Sequence, residues 1–155
     1  MIKAPAKINL CLEVLGKRPD HYHEVRTVLQ SIDMNDQITF QRSTDLALEL
    51  DAQSVFSDPI LLTDDNLILK AARSIKDYAG IKMGAKITLK KSIPIAGGLG
   101  GGSSDAAATL RALRNLWEVK IPDKDLEEIA SSLGTDVPFF LRGGTALGSG
   151  RGEIV

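Results

Sequence analysis

The sequence holds one cysteine, Cys11, among its 155 residues. A lone thiol cannot close an internal disulfide, so a reducing cytoplasm is the expected setting. Cys11 itself is expected to be a buried, inert thiol. Histidine is nearly as scarce, with two in the chain. No His/Cys cluster has metal-ligand spacing, so a structural zinc site is not supported. An excess of one charge sign is missing too. The net charge of -1 argues against a broad electrostatic footprint for nucleic acid or an anionic membrane. Long hydrophobic runs are also lacking. "INLCLEVL" is broken by Asn9 and Glu13, and "GKRPD" follows it rather than a small-residue cleavage site. It reads as a strand, not as a membrane span or a signal peptide. Repeats, low-complexity tracts and interdomain linkers are absent.

What is present suits one domain with a real core, at 43% hydrophobic and 25% charged residues. "KINLCLEVLG" and "EVRTVLQSID" have strand character, and "MND" after them reads as a turn. "QITFQR" and "LALEL" alternate, with Ile38 and Phe40 on one face and Leu46, Leu48 and Leu50 on another, as half-buried strands do. Residues 52–65 look irregular. A helix is expected from Asp65 or Asn66 to Gly80, with Leu67, Ala71, Ser74, Ile75 and Tyr78 at helical spacing. "AKITLKK" is another strand. A second helix is expected from about Ser104 to Trp117, carrying Ala106, Leu110 and Leu113 on one face. "PDKDLEEIASSLG" makes a third, with Pro122 near its start, acids in its first turn and Gly134 at its end. "FFLRGGTALGSG" reads as mostly extended. Strands early and helices late give an α+β fold.

Five of the six residues from Gly97 to Gly102 are glycine. Each glycine adds to the entropy lost on folding, so such a run needs a reason. The order strand, glycine loop, helix supplies one. Glycines let several backbone N–H groups face one cavity, and the helix start adds unpaired N–H groups and a positive dipole end. Ser103 and Ser104 can cap that helix or turn their hydroxyls to phosphate. A flexible surface loop with a capped helix is the plainer alternative. No lysine follows the glycines, which excludes a P-loop. "GLGGGS" matches a dinucleotide fingerprint only in part. Asp136, in "GTDVP" between a helix stop and an apolar run, is expected to be partly buried, a setting that suits a general base. A helix cap before Pro138 is its other reading. Lys7 begins an otherwise apolar strand, where a lysine is unusual unless paired. The other reading is a lysine on the wet face of an edge strand. Asn9, two residues on, shares its face.

"IPIAGGLGGGSSDAAATL" closely resembles the glycine-rich ATP loop of the GHMP kinase superfamily, which includes galactokinase, homoserine kinase and mevalonate kinase. "PAKINL", "YHE", "DNLILKAA" and "GTDVPFF", in that family order, narrow the resemblance to a branch acting on a cytidyl substrate. It covers essentially the whole chain. Three departures stand out. His21 in "HYH" replaces a usual glycine, Thr135 precedes Asp136 where Ala or Ser is usual, and "IAGGLG" moves one glycine by a position.

The resemblance implies the GHMP kinase N-terminal lobe, a mixed sheet with helices packed on one face, over residues 1–155. That lobe is shared with a domain of ribosomal proteins and elongation factors. It implies ATP-dependent phosphorylation of a hydroxyl on a cytidyl diphosphate ester of methylerythritol, in the non-mevalonate isoprenoid route, with Mg2+ as cofactor. It implies no nucleic-acid or membrane partner. The phosphate cradle would run through Pro94, Ile95, Ala96, Gly97, Gly98, Leu99, Gly100, Gly101, Gly102, Ser103 and Ser104. Asn66 would stand near the adenine, although a plain helix cap explains it equally. Asp136 would be the base and Lys7 the cation beside it. Asn9 would hydrogen-bond substrate, and Tyr22 and His23 would stack on and bond the cytosine. No residue is assigned as a metal ligand. The family's chains are longer, and "GRGEIV" ends on an apolar pair, so a second lobe is expected to be missing, ATP binding and activity are expected to be weak without it, and self-association through the face it would cover is expected. The rivals are a related kinase for mevalonate or homoserine, and a non-catalytic nucleic-acid or protein-binding module of the same fold.

Overall fold

The computed structural model describes residues 1–17 and 23–150. The first strand, β1, spans Ile2–Lys17 and pairs antiparallel with β2, His23–Ser43. β3 is Ala47–Leu50, and a 3-10 turn follows at Pro59–Leu62. Helix α1 covers Leu67–Ala79, and β4 covers Gly84–Lys90. Helices α2 (Gly101–Leu116), α3 (Asp123–Leu133) and α4 (Val137–Arg142) precede β5, Thr145–Gly148.

The strands form one five-stranded sheet in the order β1-β2-β4-β3, with β5 also on β2. β2 is long enough to serve two neighbours along one edge. Its residues 27–30 pair with β5 and its residues 37–43 pair with β4. β3 lies parallel to β4, so the sheet is mixed. Helix α2 packs on β1 and β2 and touches α1, α3 and α4. The core fills the space between, with Leu29, Ile38, Ile87 and Leu89 from the sheet meeting Ile68, Ile75, Leu110, Leu113 and Phe139 from the helices. The α+β expectation holds.

Five expectations need correcting. "MND" is not a turn. The β1–β2 register jumps from Pro5↔Asn35 to Ala6↔Ile32. Asp33 and Met34 are therefore taken up in a bulge, Asn35 and Asp36 pair with Pro5 and Ala4, and one strand continues through them. Helix α2 starts at Gly101, not Ser104, because Gly100 in the left-handed conformation (φ 69°) ends the loop. The stretch from Val137 to Arg142 is helical, with Pro138 in the first turn, where a missing N–H costs nothing. Cys11 is exposed, on the stretch of β1 from Ile8 to Lys17 whose side chains are all exposed. The buried stripe of α1 is also turned slightly from the expected one. Ile68, Ala71, Ala72 and Ile75 face the core, and Tyr78 is exposed.

Candidate active site

The glycine loop follows β4 and enters α2. It forms one wall of a cavity of about 400 Å³, and the opposite wall is the 3-10 turn with the start of α1. That volume suits a small-molecule ligand. Every expected cradle residue from Pro94 to Ser103 lines it, and so does Asn66. Ser104 does not. With α2 starting three residues early, Ser104 falls on the buried face of the helix, and its hydroxyl has no hydrogen-bond partner. Asn66 is the α1 cap. Its Oδ1 accepts from the Ile68 N–H at 2.8 Å, and its Nδ2 donates to the Leu61 carbonyl at 2.6 Å.

Gly100 could be no other residue without a local shift. A Cβ there would lie 2.8 Å from the Phe140 ring and 3.1 Å from Cγ of Lys7, at a backbone angle L side chains rarely adopt. The same contact places Lys7 directly behind the loop. The Lys7 N–H donates to the Leu99 carbonyl at 2.9 Å, which ties loop to strand. Its side chain is buried, and Nζ lies 3.5 Å from Oδ2 of Asp136. Asp136 caps α4 in position only, since its carboxylate makes no cap hydrogen bond. With its side chain 30% exposed, it is both reachable and partly shielded.

Lys7 also donates to Oδ1 of Asn9 at 2.7 Å. Asn9 donates to Oγ1 of Thr27 at 2.7 Å, and Thr27 donates to the Cys11 carbonyl at 2.7 Å. The amide of Asn9 therefore orients the lysine through both its polar atoms. Thr27 is a member of this chain that the sequence did not reveal. No local pattern distinguishes it, because only the β1–β2 register brings it opposite Asn9. His23 is exposed at the far end of the β1–β2 pair, opposite Lys17, and is not brought to the Lys7–Asp136 pair. Tyr22 and His21 lie outside the described residues.

A second group was also missed. Lys91 donates to Oδ2 of Asp105 at 2.9 Å and to Oδ2 of Asp36. All three side chains are almost wholly buried under the cavity. The period-2 pattern held the signal. Ala85, Ile87 and Leu89 face inward along β4, and Lys91 has the same parity, so an inward lysine needing a partner was implied.

The site thus combines a mixed α+β sheet, a glycine loop opening a helix at a ligand-sized cavity, and a lysine–aspartate pair behind that loop. The family model described as GHMP kinases N terminal domain matches residues 66–144, and the chain belongs to that family. It is 51% identical over 152 residues to the 4-diphosphocytidyl-2-C-methyl-D-erythritol kinase of Caldanaerobacter subterraneus subsp. tengcongensis, covering 98% of this chain and 51% of that protein. It is 47% identical over 154 residues to the enzyme of the same name from Prochlorococcus marinus strain AS9601, covering 99% and 49%. A crystal structure of 4-(cytidine 5'-diphospho)-2C-methyl-D-erythritol kinase superposes with a TM-score of 0.81 at 37% identity, over 99% of this chain and 53% of that one. Methanococcus jannaschii mevalonate kinase shares the fold, with a TM-score of 0.71 at 20% identity over 97% and 53%. The chain thus spans about half the length of the curated relatives it matches.

Proposed function

We propose that this chain is the ATP-binding N-terminal lobe of a small-molecule kinase that phosphorylates a hydroxyl of 4-diphosphocytidyl-2-C-methyl-D-erythritol. The observation that carries the reading is the Lys7–Asp136 pair, 3.5 Å apart and packed behind Gly100. Phosphoryl transfer needs a cradle, a positive charge and a group to take the acceptor's proton. The loop from Pro94 to Ser103 offers the cradle. Asp136 accepts the hydroxyl proton as the acceptor oxygen attacks the terminal phosphorus. The bond from that phosphorus to the bridging oxygen breaks, and ADP leaves. Lys7, held by Asn9, stabilises the charge on the transferring group.

Among the described residues no cluster of three or more His, Cys, Asp or Glu side chains forms a metal cage. A magnesium ion serving this reaction would be held chiefly by the nucleotide phosphates, with one or two oxygens from the protein. Names of relatives at 47–51% identity favour the cytidyl acceptor over mevalonate or homoserine. No described helix is long and apolar enough to cross a membrane, and the single cysteine suits a reducing cytoplasm.

The test is calorimetric titration with ATP, together with ADP release in the presence of the cytidyl ester, mevalonate or homoserine. With the second lobe present, binding of ATP and selective turnover of the cytidyl ester are expected. Preference for another acceptor would overturn the substrate, and no nucleotide binding would overturn the cradle. Replacing Tyr22 and His23 by alanine should raise the Michaelis constant for the cytidyl ester and leave that for ATP unchanged.

A further inference from the structure

The floor of the cavity contains more negative than positive charge. Asp36 is fully buried, and Lys91 and Asp105 are 3% exposed. Oδ1 of Asp36 accepts from the N–H groups of Ser92 at 2.5 Å and Ile93 at 2.9 Å, so it clamps the segment that enters the glycine loop. Lys91 then reaches Asp105, in the helix that leaves the loop. Both ends of the loop are thereby tied to one buried ammonium. Gly101 has no room for a side chain above it, since a Cβ would lie 2.9 Å from Nζ of Lys91.

One ammonium faces two carboxylates, so full ionisation leaves one negative charge beneath a site built for an anion. Asp105 is the member able to relieve this. Its Oδ1 is buried and has no hydrogen-bond partner, and Asp105 borders the cavity. Other charges nearby have partners of their own. Lys7 goes to Asn9 and Asp136. Asp65 borders the cavity, but its carboxylate is exposed and pairs with Lys70 of α1, and Arg73 pairs with Asp64, leaving apolar Ile68, Ala71, Ala72 and Ile75 on the buried face of that helix. Arg142 of α4 goes to Glu127.

We propose that the Asp36–Lys91–Asp105 cluster is a proton-linked positioning device for the glycine loop, in which Asp105 takes up a proton when a polyphosphate anion occupies the cradle. This rests on the reading of the loop as a phosphate cradle. The electrostatics agree. Burial pushes the Asp105 carboxyl up to about 7, with Lys91 opposing and Asp36 adding to the rise. Burial alone would lower the Lys91 ammonium, yet the two carboxylates hold it above its ordinary value. The lysine thus stays charged while Asp105 titrates near neutrality, and a nearby anion makes the protonated carboxyl more favourable still.

The test is calorimetric titration with ATP at pH 8 in two buffers of different ionisation enthalpy, with wild type and Asp105→Asn. At that pH the nucleotide's own phosphates are ionised. Wild type should take up part of a proton per ATP, and the variant none. The affinity of wild type should fall by up to about tenfold per pH unit above 7, the limit for one linked proton, beyond any fall in the variant. Carbon-13 titration of the Asp105 carboxyl in wild type, with and without ATP, decides the matter independently of the variant's folding. Saturation with ATP should raise its midpoint. ATP binding with an unmoved Asp105 midpoint, or with equal proton uptake in both proteins, overturns the inference alone. No ATP binding by wild type overturns the cradle and the inference together.

Discussion

The ammonium of Lys7 and the carboxylate of Asp136 lie 3.5 Å apart, although they come from opposite ends of the chain. Two contacts fix this geometry. The Lys7 backbone hydrogen-bonds Leu99 in the loop, and Phe140 of α4 packs on the other side of Gly100. Lysine, loop and aspartate are therefore one packed unit, and a change in one member should be felt as chemistry rather than as unfolding.

For Asp136 this gives the first prediction. Asp136→Asn keeps the shape and removes the basicity. Asp136 makes no cap hydrogen bond, so the stability at stake is that of its pairing with Lys7, which keeps Asn9 as a partner in the variant. Turnover of the cytidyl ester should fall by roughly 10²–10⁴-fold, with ATP affinity nearly unchanged. Steady-state ADP release beside an ATP titration checks this, and near wild-type turnover would remove Asp136 from the mechanism.

Gly100→Val tests the loop. The new side chain would meet the Phe140 ring and Cγ of Lys7 in a left-handed backbone. Strain of this kind costs on the order of 1–3 kcal/mol. Nucleotide affinity should drop as the loop and lysine separate, while the far-ultraviolet helix signal is retained. An ATP affinity equal to wild type would dissociate the loop from nucleotide binding.

Ala96 is the opposite case. It holds φ at 57°, a left-handed angle that suits glycine better than alanine. Ala96→Gly should relieve that strain and raise stability by up to about 1 kcal/mol, after the entropy glycine gives back to the unfolded chain. Urea unfolding measures it. A loss of stability would mean that the methyl group earns more in contacts than the angle costs.

Much of this was legible in the sequence, and the failures share a cause. The glycine loop, Lys7 and Asp136 were found because their residue types are out of place in their local setting. Asp36 was missed because "MND" has turn composition, whereas the β1 partner imposed a bulge and kept the strand running. Phe139 to Arg142 reads as extended because two adjacent phenylalanines resemble a strand, whereas both are buried in a helix against the other helices. The link from Asn9 to Thr27 depends on register, which no single segment encodes. Local composition singled out candidate groups, the family resemblance supplied their expected roles, and tertiary pairing decided which of them meet.

The last prediction concerns stability without any ligand. The carboxyl of Asp105 sits at about 7 in the fold, against 3.8 for an ordinary aspartate. A folded-state value above the unfolded one means that the native protein binds more protons between the two. Its contribution to stability is therefore fully present below pH 4 and is lost as pH rises through 7. Asparagine cannot ionise, so Asp105→Asn removes this loss while keeping a similar volume. Lys91 retains Asp36 as a partner in the variant. The difference in unfolding free energy between variant and wild type should therefore shift toward the variant as pH goes from 5 to 8, and should level off above 8. Taking the difference cancels the other titrating groups, provided they behave alike in both proteins. Urea unfolding at four or five pH values gives the curve. A flat difference across that window would mean that Asp105 is ionised throughout, with Lys91 fully compensating its burial.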